Sequence, residues 1–212
     1  MQTDKIQVNS RGEGAKEAQE QTDKFCSYVG LNEKDSLRMQ LLCEETLGMV
    51  RAIAEDFEAE YWIESLPEKN CVIHLLAATR MDRKKRRELI QTSSDNKNAA
   101  ASGFMGKVRD ILEKSLYTVG ELGKVPDDIE GVPGMFYYEG LGMSDNLDAG
   151  PVSYLWSLER YKTNVSNVRA KDERAKEAWD ELEKSIVANI ADDVRVYVKG
   201  GKVELEIEKK FA

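Results

Sequence analysis

Hydrophobic positions along the chain switch between strand and helix periods in a definite order. The segment Lys5-Ile6-Gln7-Val8 alternates polar and apolar residues, which predicts a first strand. Residues 15–28 have helical composition and are followed by Gly30 as a C-cap. A second helix is predicted from Ser36 to Asp56, and its apolar residues nearly encircle it, so we expect it to be central.

Two hairpins are predicted on either side of an irregular middle. Residues 58–65 alternate and residues 72–77 form a continuous apolar run, with Pro67-Glu68-Lys69-Asn70 as the turn between them. Near the end, residues 194–198 and 203–207 alternate on either side of a Lys-Gly-Gly-Lys turn. The predicted order is therefore β-α-α-β-β, an irregular middle, and α-β-β.

The middle of the chain, residues 80–171, has no continuous period. Helical spacing returns at residues 103–116, and residues 172–190 form an amphipathic helix after the irregular part. Aromatic residues around Trp156 and Tyr161 have two interpretations. They form either a partner-binding surface or a small core of the insertion itself.

Composition narrows the class of protein. A net charge of −8 argues against non-specific binding to nucleic acid or to an anionic membrane surface. No apolar run is long enough for a membrane helix, and the first residues lack the apolar region of a signal peptide. Cys26, Cys43 and Cys71 are odd in number and widely spaced, which is typical of reduced thiols. We therefore expect a globular protein of the cytoplasm.

The middle of the second predicted helix carries the strongest candidate chemistry. Glu44 and Glu45 stand among apolar residues, and Gly48 follows one turn after Glu44. Residues four apart share a helix face, so Glu44 and Gly48 should point the same way. A carboxylate on an apolar helix is costly unless it is paired. The segment is therefore a candidate ligand site, and the alternative is a solvated or salt-bridged carboxylate.

Three weaker candidates remain open. The segment Gly103-Phe104-Met105-Gly106-Lys107 either opens a helix that binds an anion, with Lys107 as counter-charge, or packs through its apolar residues. The basic run at residues 83–87 contacts phosphates or an acidic partner, or is a solvated helix face. His74 is the only histidine, so we expect a packed or edge residue and assign no metal ligand.

This element order, with Glu44 in the second helix, resembles the ATP-binding fold of the GHKL superfamily of gyrase, heat-shock chaperone, histidine-kinase and mismatch-repair ATPases. The likeness is greatest to the small bacterial anti-sigma-factor serine kinases, whose long helix carries Glu-x-x-x-Asn. Here Glu44-x-x-x-Gly48 stands at that place. Residues 185–207 resemble the closing helix and hairpin of those kinases. The resemblance covers about residues 4–82 and 172–211.

The resemblance implies an α+β two-layer sandwich with a mixed, mainly antiparallel sheet and helices on one face. It implies a single domain over residues 1–212, with residues 80–171 as an insertion or lid. ATP would occupy the cleft between the second helix and the insertion, with Glu44 as the catalytic residue. The implied cofactor-binding residues are Gly48, Asp82 at the base position, and Gly103, Gly106 and Lys107 near the phosphates.

Two departures from the family pattern shape the expected function. The family's Asn binds the magnesium that bridges the ATP phosphates, and Gly48 has no side chain for this. Asp82 is followed by cations instead of glycines. The family's second glycine box corresponds either to Gly103–Lys107 or to the helix that ends at Ala191.

We therefore expect a degenerate ATP-binding regulator that acts through a regulatory protein partner. A second copy of the chain, forming a homodimer, is a further option. One alternative is an active Mg²⁺-ATP-dependent ATPase or serine kinase, in which Asn96 or Asn98 supplies the missing magnesium ligand. The other alternative is a structural or interaction module that does not bind nucleotide.

Overall fold

The computed structural model describes residues 1–53, 57–78, 103–122, 153–199 and 202–211. Its elements in chain order are β1 (Ile6–Asn9), α1 (Ala15–Tyr28), α2 (Glu33–Ala52), β2 (Glu58–Leu66), β3 (Asn70–Ala78), α3 (Phe104–Leu122), β4 (Ser153–Ser157), α4 (Leu158–Val168), α5 (Glu173–Lys184), α6 (Ile186–Ile190), β5 (Asp193–Lys199) and β6 (Lys202–Lys210). The chain therefore belongs to the α+β class, as expected. Among the helices within these ranges, none is long and apolar enough to cross a membrane.

Six strands form one open sheet in the order β1-β2-β3-β6-β5-β4. The two predicted hairpins, β2–β3 and β5–β6, meet where β3 pairs with β6, with His74 opposite Glu206. The sheet was expected to be mixed and mainly antiparallel. Every pairing between the described strands is antiparallel, because the hairpins meet through oppositely directed strands and β1 and β4 add to their outer edges in the same way.

The described helices cover one face of this sheet. Alternate strand residues such as Tyr61, Ile73 and Leu205 point to that face and join a single hydrophobic cluster to which all six described helices contribute. The other strand residues, among them His74 and Glu206, point to the opposite face, which we call the outer face. The expectation of two layers with helices on one face is confirmed for the described part of the chain.

Helix α2 begins at a capped N-terminus. The side chain of Asn32 accepts a hydrogen bond from the Asp35 backbone N–H at 2.9 Å, and its amide donates to the Asp35 carboxylate. The helix contacts α1, α3 and α6. It is not encircled by apolar packing as predicted, because Leu37, Glu44 and Gly48 lie on a stripe that faces solvent. Leu37, one of the apolar residues of the predicted helix, is 54% exposed.

Parts of the region expected to be an insertion belong to the core. Helix α3 contacts α2 and β6, and β4 forms an edge of the sheet beside β5. Trp156 and Tyr161 are buried in the same cluster as the helices, so these two aromatic residues are core residues and not a partner-binding surface. The rest of the expected lid, residues 80–102 and 123–152, lies outside the described residues.

The predicted helix over residues 172–190 is two helices, α5 and α6. Ser185 ends α5 in an extended conformation, and its side chain accepts a hydrogen bond from the Ala188 backbone N–H at 3.2 Å. A serine that caps a new helix competes with continuation of the preceding one. The apolar spacing of α5 therefore does not continue into α6, where Val187 and Ala188 are buried and Ile186 is exposed.

Candidate functional site

The exposed stripe of α2 holds the first candidate site. Glu44 and Gly48 are both exposed and lie one helical turn apart, as their spacing predicts. A Cβ built on Gly48 meets no atom within 4 Å, so no packing contact requires a glycine there. Glu45 is half-buried. Glu44 is therefore a solvent-facing carboxylate beside an open position.

Of the remaining implied nucleotide residues, the structure describes only those at the start of α3. Asp82, the basic run at residues 83–87 and the candidate magnesium ligands Asn96 and Asn98 lie outside the described residues. Gly103 immediately precedes α3 in a left-handed conformation with φ +92°, and Gly106 is half-buried in its first turn. The start of α3 is thus the only other implied part of the site that the described residues include.

At the start of α3 the side chains are engaged in packing and pairing. Phe104 is buried against Trp156, with ring centroids 5.9 Å apart. Lys107 Nζ donates a hydrogen bond to the Tyr161 hydroxyl at 3.0 Å and forms an ion pair with Glu181. Burial alone lowers the pKa of Lys107, but the bonds to Glu181 and Tyr161 outweigh it and raise that pKa. The ammonium group of Lys107, which we expected to be the counter-charge of a bound anion, is therefore already paired with the carboxylate of Glu181.

A second candidate site lies on the outer face of the sheet, around His74 of β3. His74 Nδ1 lies 3.0 Å from Glu204 Oε1 and 3.7 Å from Glu206 Oε1, both on β6. Its Nε2 lies 3.6 Å from Glu64 Oε2 on β2. Because His74 and Glu206 are paired across the two strands, their side chains leave the sheet side by side. The sheet thus brings three carboxylates around one imidazole.

Packing holds the imidazole of His74 in place. The ring stacks on the Trp62 indole, its cross-strand neighbour, with centroids 4.7 Å apart and planes 3° from parallel. Lys5 Nζ lies 4.3 Å from the centroid of the Trp62 ring and 2.9 Å from Glu60. His74 is only 7% exposed although no described helix packs on the outer face of the sheet. Its ring therefore has little freedom to turn away from the carboxylates.

Hydrogen bonds also orient the carboxylate of Glu206. The Tyr197 hydroxyl donates to Glu206 Oε2 at 2.6 Å, which leaves Oε1 on the side of His74. Arg195 contacts Asp193 Oδ2 at 2.7 Å and also pairs with Glu208. Burial raises the pKa of Glu208, but the bonds from Asn70, Arg195 and Lys210 outweigh it, and the pKa is lowered. The charge of Arg195 is thus shared among Asp193, Glu208 and, at 4.0 Å, Glu206.

The group around His74 was not predicted from the sequence. His74 was expected to be a packed or edge residue, and its burial agrees with packing, but Glu204 and Glu206 were not singled out. The sequence does indicate a row of carboxylates on one face of β6, because Glu204, Glu206 and Glu208 alternate along that strand. It points to His74 only when β3 is known to pair with β6, and residues so distant in sequence do not specify that pairing.

The cysteines offer no reactive thiol. All three are buried as free thiols. Burial raises the pKa of Cys26 and of Cys71 to about 11, so both stay protonated at neutral pH. Burial also raises the pKa of Cys43.

No protein-family model, no curated protein and no solved structure matches the chain. The residues and geometry of the chain itself are therefore the basis for a proposed function.

Proposed function

We propose that the chain is a degenerate ATP-binding regulator that acts through a protein partner and does not carry out magnesium-dependent turnover. The α+β sandwich, with helices on one face and a long capped α2, supports the proposal because it agrees with the layout that the GHKL resemblance implies. Fold likeness alone does not imply function. The specific support comes from α2.

The observation that carries the proposal is the pair Glu44 and Gly48 on the exposed stripe of α2. In the kinases that the chain resembles, a carboxylate and a magnesium-binding Asn stand one turn apart. Here the carboxylate is retained and exposed, while the second position has open space and no side chain. Magnesium binds through oxygen ligands in a near-octahedral arrangement, so the loss of one ligand weakens its retention. Nucleotide binding without turnover is the function consistent with this pair.

The direct test is calorimetric titration of the full chain with a non-hydrolysable ATP analogue, with and without Mg²⁺. We expect binding whose affinity changes less than about threefold on adding Mg²⁺, and no ATP hydrolysis. Hydrolysis that the Glu44→Ala variant abolishes would instead show an active enzyme. The absence of any binding would show a module that does not use nucleotide.

A restoration variant sharpens this test. Gly48→Asn places the family's ligand at an exposed position where an added Cβ meets no atom within 4 Å, so the variant should fold normally. We expect it to bind the analogue at least about tenfold more tightly with Mg²⁺ than without, since a recovered oxygen ligand contributes on the order of 1.4 kcal/mol or more. Gly48→Ala is the matched control because it adds a side chain without a ligand. If Gly48→Asn and Gly48→Ala respond equally to Mg²⁺, Gly48 is not the lost magnesium position.

A further inference from the structure

Among the described residues, three carboxylates gather around His74 on the outer face. Glu64, Glu204 and Glu206 surround a single imidazole, which neutralises at most one of them. Arg195 also lies near this group, with Nη1 4.0 Å from Glu206 Oε2. Like charges this close are destabilising unless a cation is shared between them.

His74 supplies a second, independent observation. Its side chain is 9% exposed, yet Nε2 is buried and has no hydrogen-bond partner within the described part of the chain. Buried ring nitrogens are normally bonded. The carboxylate of Glu64 lies 3.6 Å from Nε2, just beyond hydrogen-bond distance. A small rotation of Glu64 would let it accept a hydrogen bond from Nε2–H, while Nδ1 is directed at Glu204 and Glu206.

We propose that His74, Glu204 and Glu206 bind a divalent transition-metal ion of the Zn²⁺ class on the outer face of the sheet. One ligand atom from each residue lies within 4.8 Å of the others. Ligands of tetrahedral Zn²⁺ stand about 3.4 Å apart, so closure around the ion requires side-chain shifts of about an ångström. One imidazole with two carboxylates suits Zn²⁺, Co²⁺ or Mn²⁺, whereas Mg²⁺ and Ca²⁺ prefer oxygen ligands alone.

The surroundings of the three ligands match those of a bound metal. A histidine that binds a metal usually donates its other ring N–H to a carboxylate, and Glu64 lies at that position. Carboxylates that bind a metal are themselves hydrogen-bonded, and Glu206 accepts such a bond from the Tyr197 hydroxyl. Glu204 and Glu206 are 19% and 21% exposed, so solvent reaches the ion and a water completes its coordination. Because the ligands lie on β3 and β6, the ion also cross-links the two hairpins.

The test is titration of the full chain with Co²⁺ and Zn²⁺, followed by calorimetry and, for Co²⁺, by visible absorption. We expect one ion per chain and a Co²⁺ spectrum without the near-ultraviolet bands of thiolate ligands. We expect binding to weaken about 100-fold or more in each of the variants Glu204→Gln, Glu206→Gln and His74→Asn. Loss of a residue that only orients a metal ligand already weakens binding by about 10- to 100-fold. No nucleotide is present, so the result is independent of the proposed ATP binding.

Glu60→Gln is the matched control, because it removes a carboxylate from the same face without touching the three ligands. We expect it to change affinity less than about threefold. An equal loss in Glu60→Gln would show a diffuse electrostatic effect and overturn the site. Thiolate bands, unchanged binding in the three ligand variants, or tighter binding of Ca²⁺ than of Co²⁺ would overturn it as well.

The melting temperature distinguishes a variant that has lost the metal ion from a variant that no longer folds. Each Glu→Gln change relieves repulsion, so without metal these variants should melt at the temperature of the unaltered chain or above it. Zn²⁺ should raise the melting temperature of the unaltered chain and not that of Glu206→Gln. If Zn²⁺ raises both equally, the ion binds elsewhere and the proposal is wrong.

Discussion

At the residue scale, the backbone at Gly14 requires a glycine, whereas the surroundings of Gly48 do not. At Gly14 the backbone has φ +74°, and an added Cβ would lie 1.9 Å from the Gln7 carbonyl oxygen, so no other residue fits without rearrangement. Gly48 lies within a helix and has open space around it. A glycine inside a helix costs about 1 kcal/mol relative to alanine. Packing therefore does not explain Gly48, and its cost in helix stability has no structural compensation among the described residues.

We expect Gly48→Ala to raise the free energy of unfolding by about 0.5–1 kcal/mol, because alanine has the higher helix propensity and meets no neighbour. Urea denaturation followed by far-ultraviolet circular dichroism measures the change. The matched control is Gly30→Ala. Gly30 has equal space but φ +70°, so its replacement should lower stability by about 1 kcal/mol. Destabilisation by Gly48→Ala would show that the position has a packing role.

At the scale of elements, α2 and α3 are joined through a buried arginine. Helix α2 ends at Ala52, whose carbonyl accepts a hydrogen bond from Arg109 Nη1 at 3.2 Å. Arg109 belongs to α3, is 4% exposed, and contacts Asp110 Oδ1 at 3.1 Å. The last carbonyls of a helix have no partners within it, and a cation is favourable there. Arg109 therefore stabilises the end of α2 and ties the two helices together.

Replacing this arginine should loosen both helices. Arg109→Met keeps an apolar side chain but removes the donor to Ala52 and the counter-charge of Asp110. We expect a loss of about 2–3 kcal/mol in the free energy of unfolding and faster hydrogen exchange in the last turn of α2. Arg174→Met on the exposed surface of α5 is the control and should change stability by less than about 0.5 kcal/mol. Equal effects of the two changes would contradict the capping role.

At the scale of the whole molecule, one core draws on distant parts of the chain. Val8 near the beginning, Phe104 and Trp156 in the middle, and Ile207 near the end all belong to the same hydrophobic cluster. The β3–β6 pairing joins strands more than a hundred residues apart in sequence. Removal of any of these parts would expose the others, so the described elements should unfold together.

Trp156 offers a probe of this cooperativity. The double variant Trp62→Phe/Trp179→Phe leaves Trp156 as the only tryptophan. We expect its urea transition, followed by tryptophan fluorescence, to have the same midpoint as the circular dichroism of the same variant. A fluorescence transition at a lower urea concentration would show that the β4–α4 region unfolds separately, as an insertion with a core of its own would.

The local features of the fold were predictable because neighbouring residues determine them. The two hairpins follow from alternation and turn residues, and α2 was predicted to begin at Ser36, three residues after its observed start at Glu33. The spacing of Glu44 and Gly48 places them on one helix face, as found. That this face meets solvent was not predictable, because it depends on which sides of α2 are covered by α1, α3 and α6.

The sequence by itself determined the order of elements from β1 to β3, the closing β5–β6 hairpin and the relative placement of Glu44 and Gly48. Each follows from interactions within a few residues, where periodicity and capping act directly. Only the tertiary structure decided that β3 pairs with β6, that Trp156 is core, and that His74 stands among Glu64, Glu204 and Glu206. These depend on contacts between segments far apart in the chain, whose choice is made by burial of the whole apolar face and not by any local pattern.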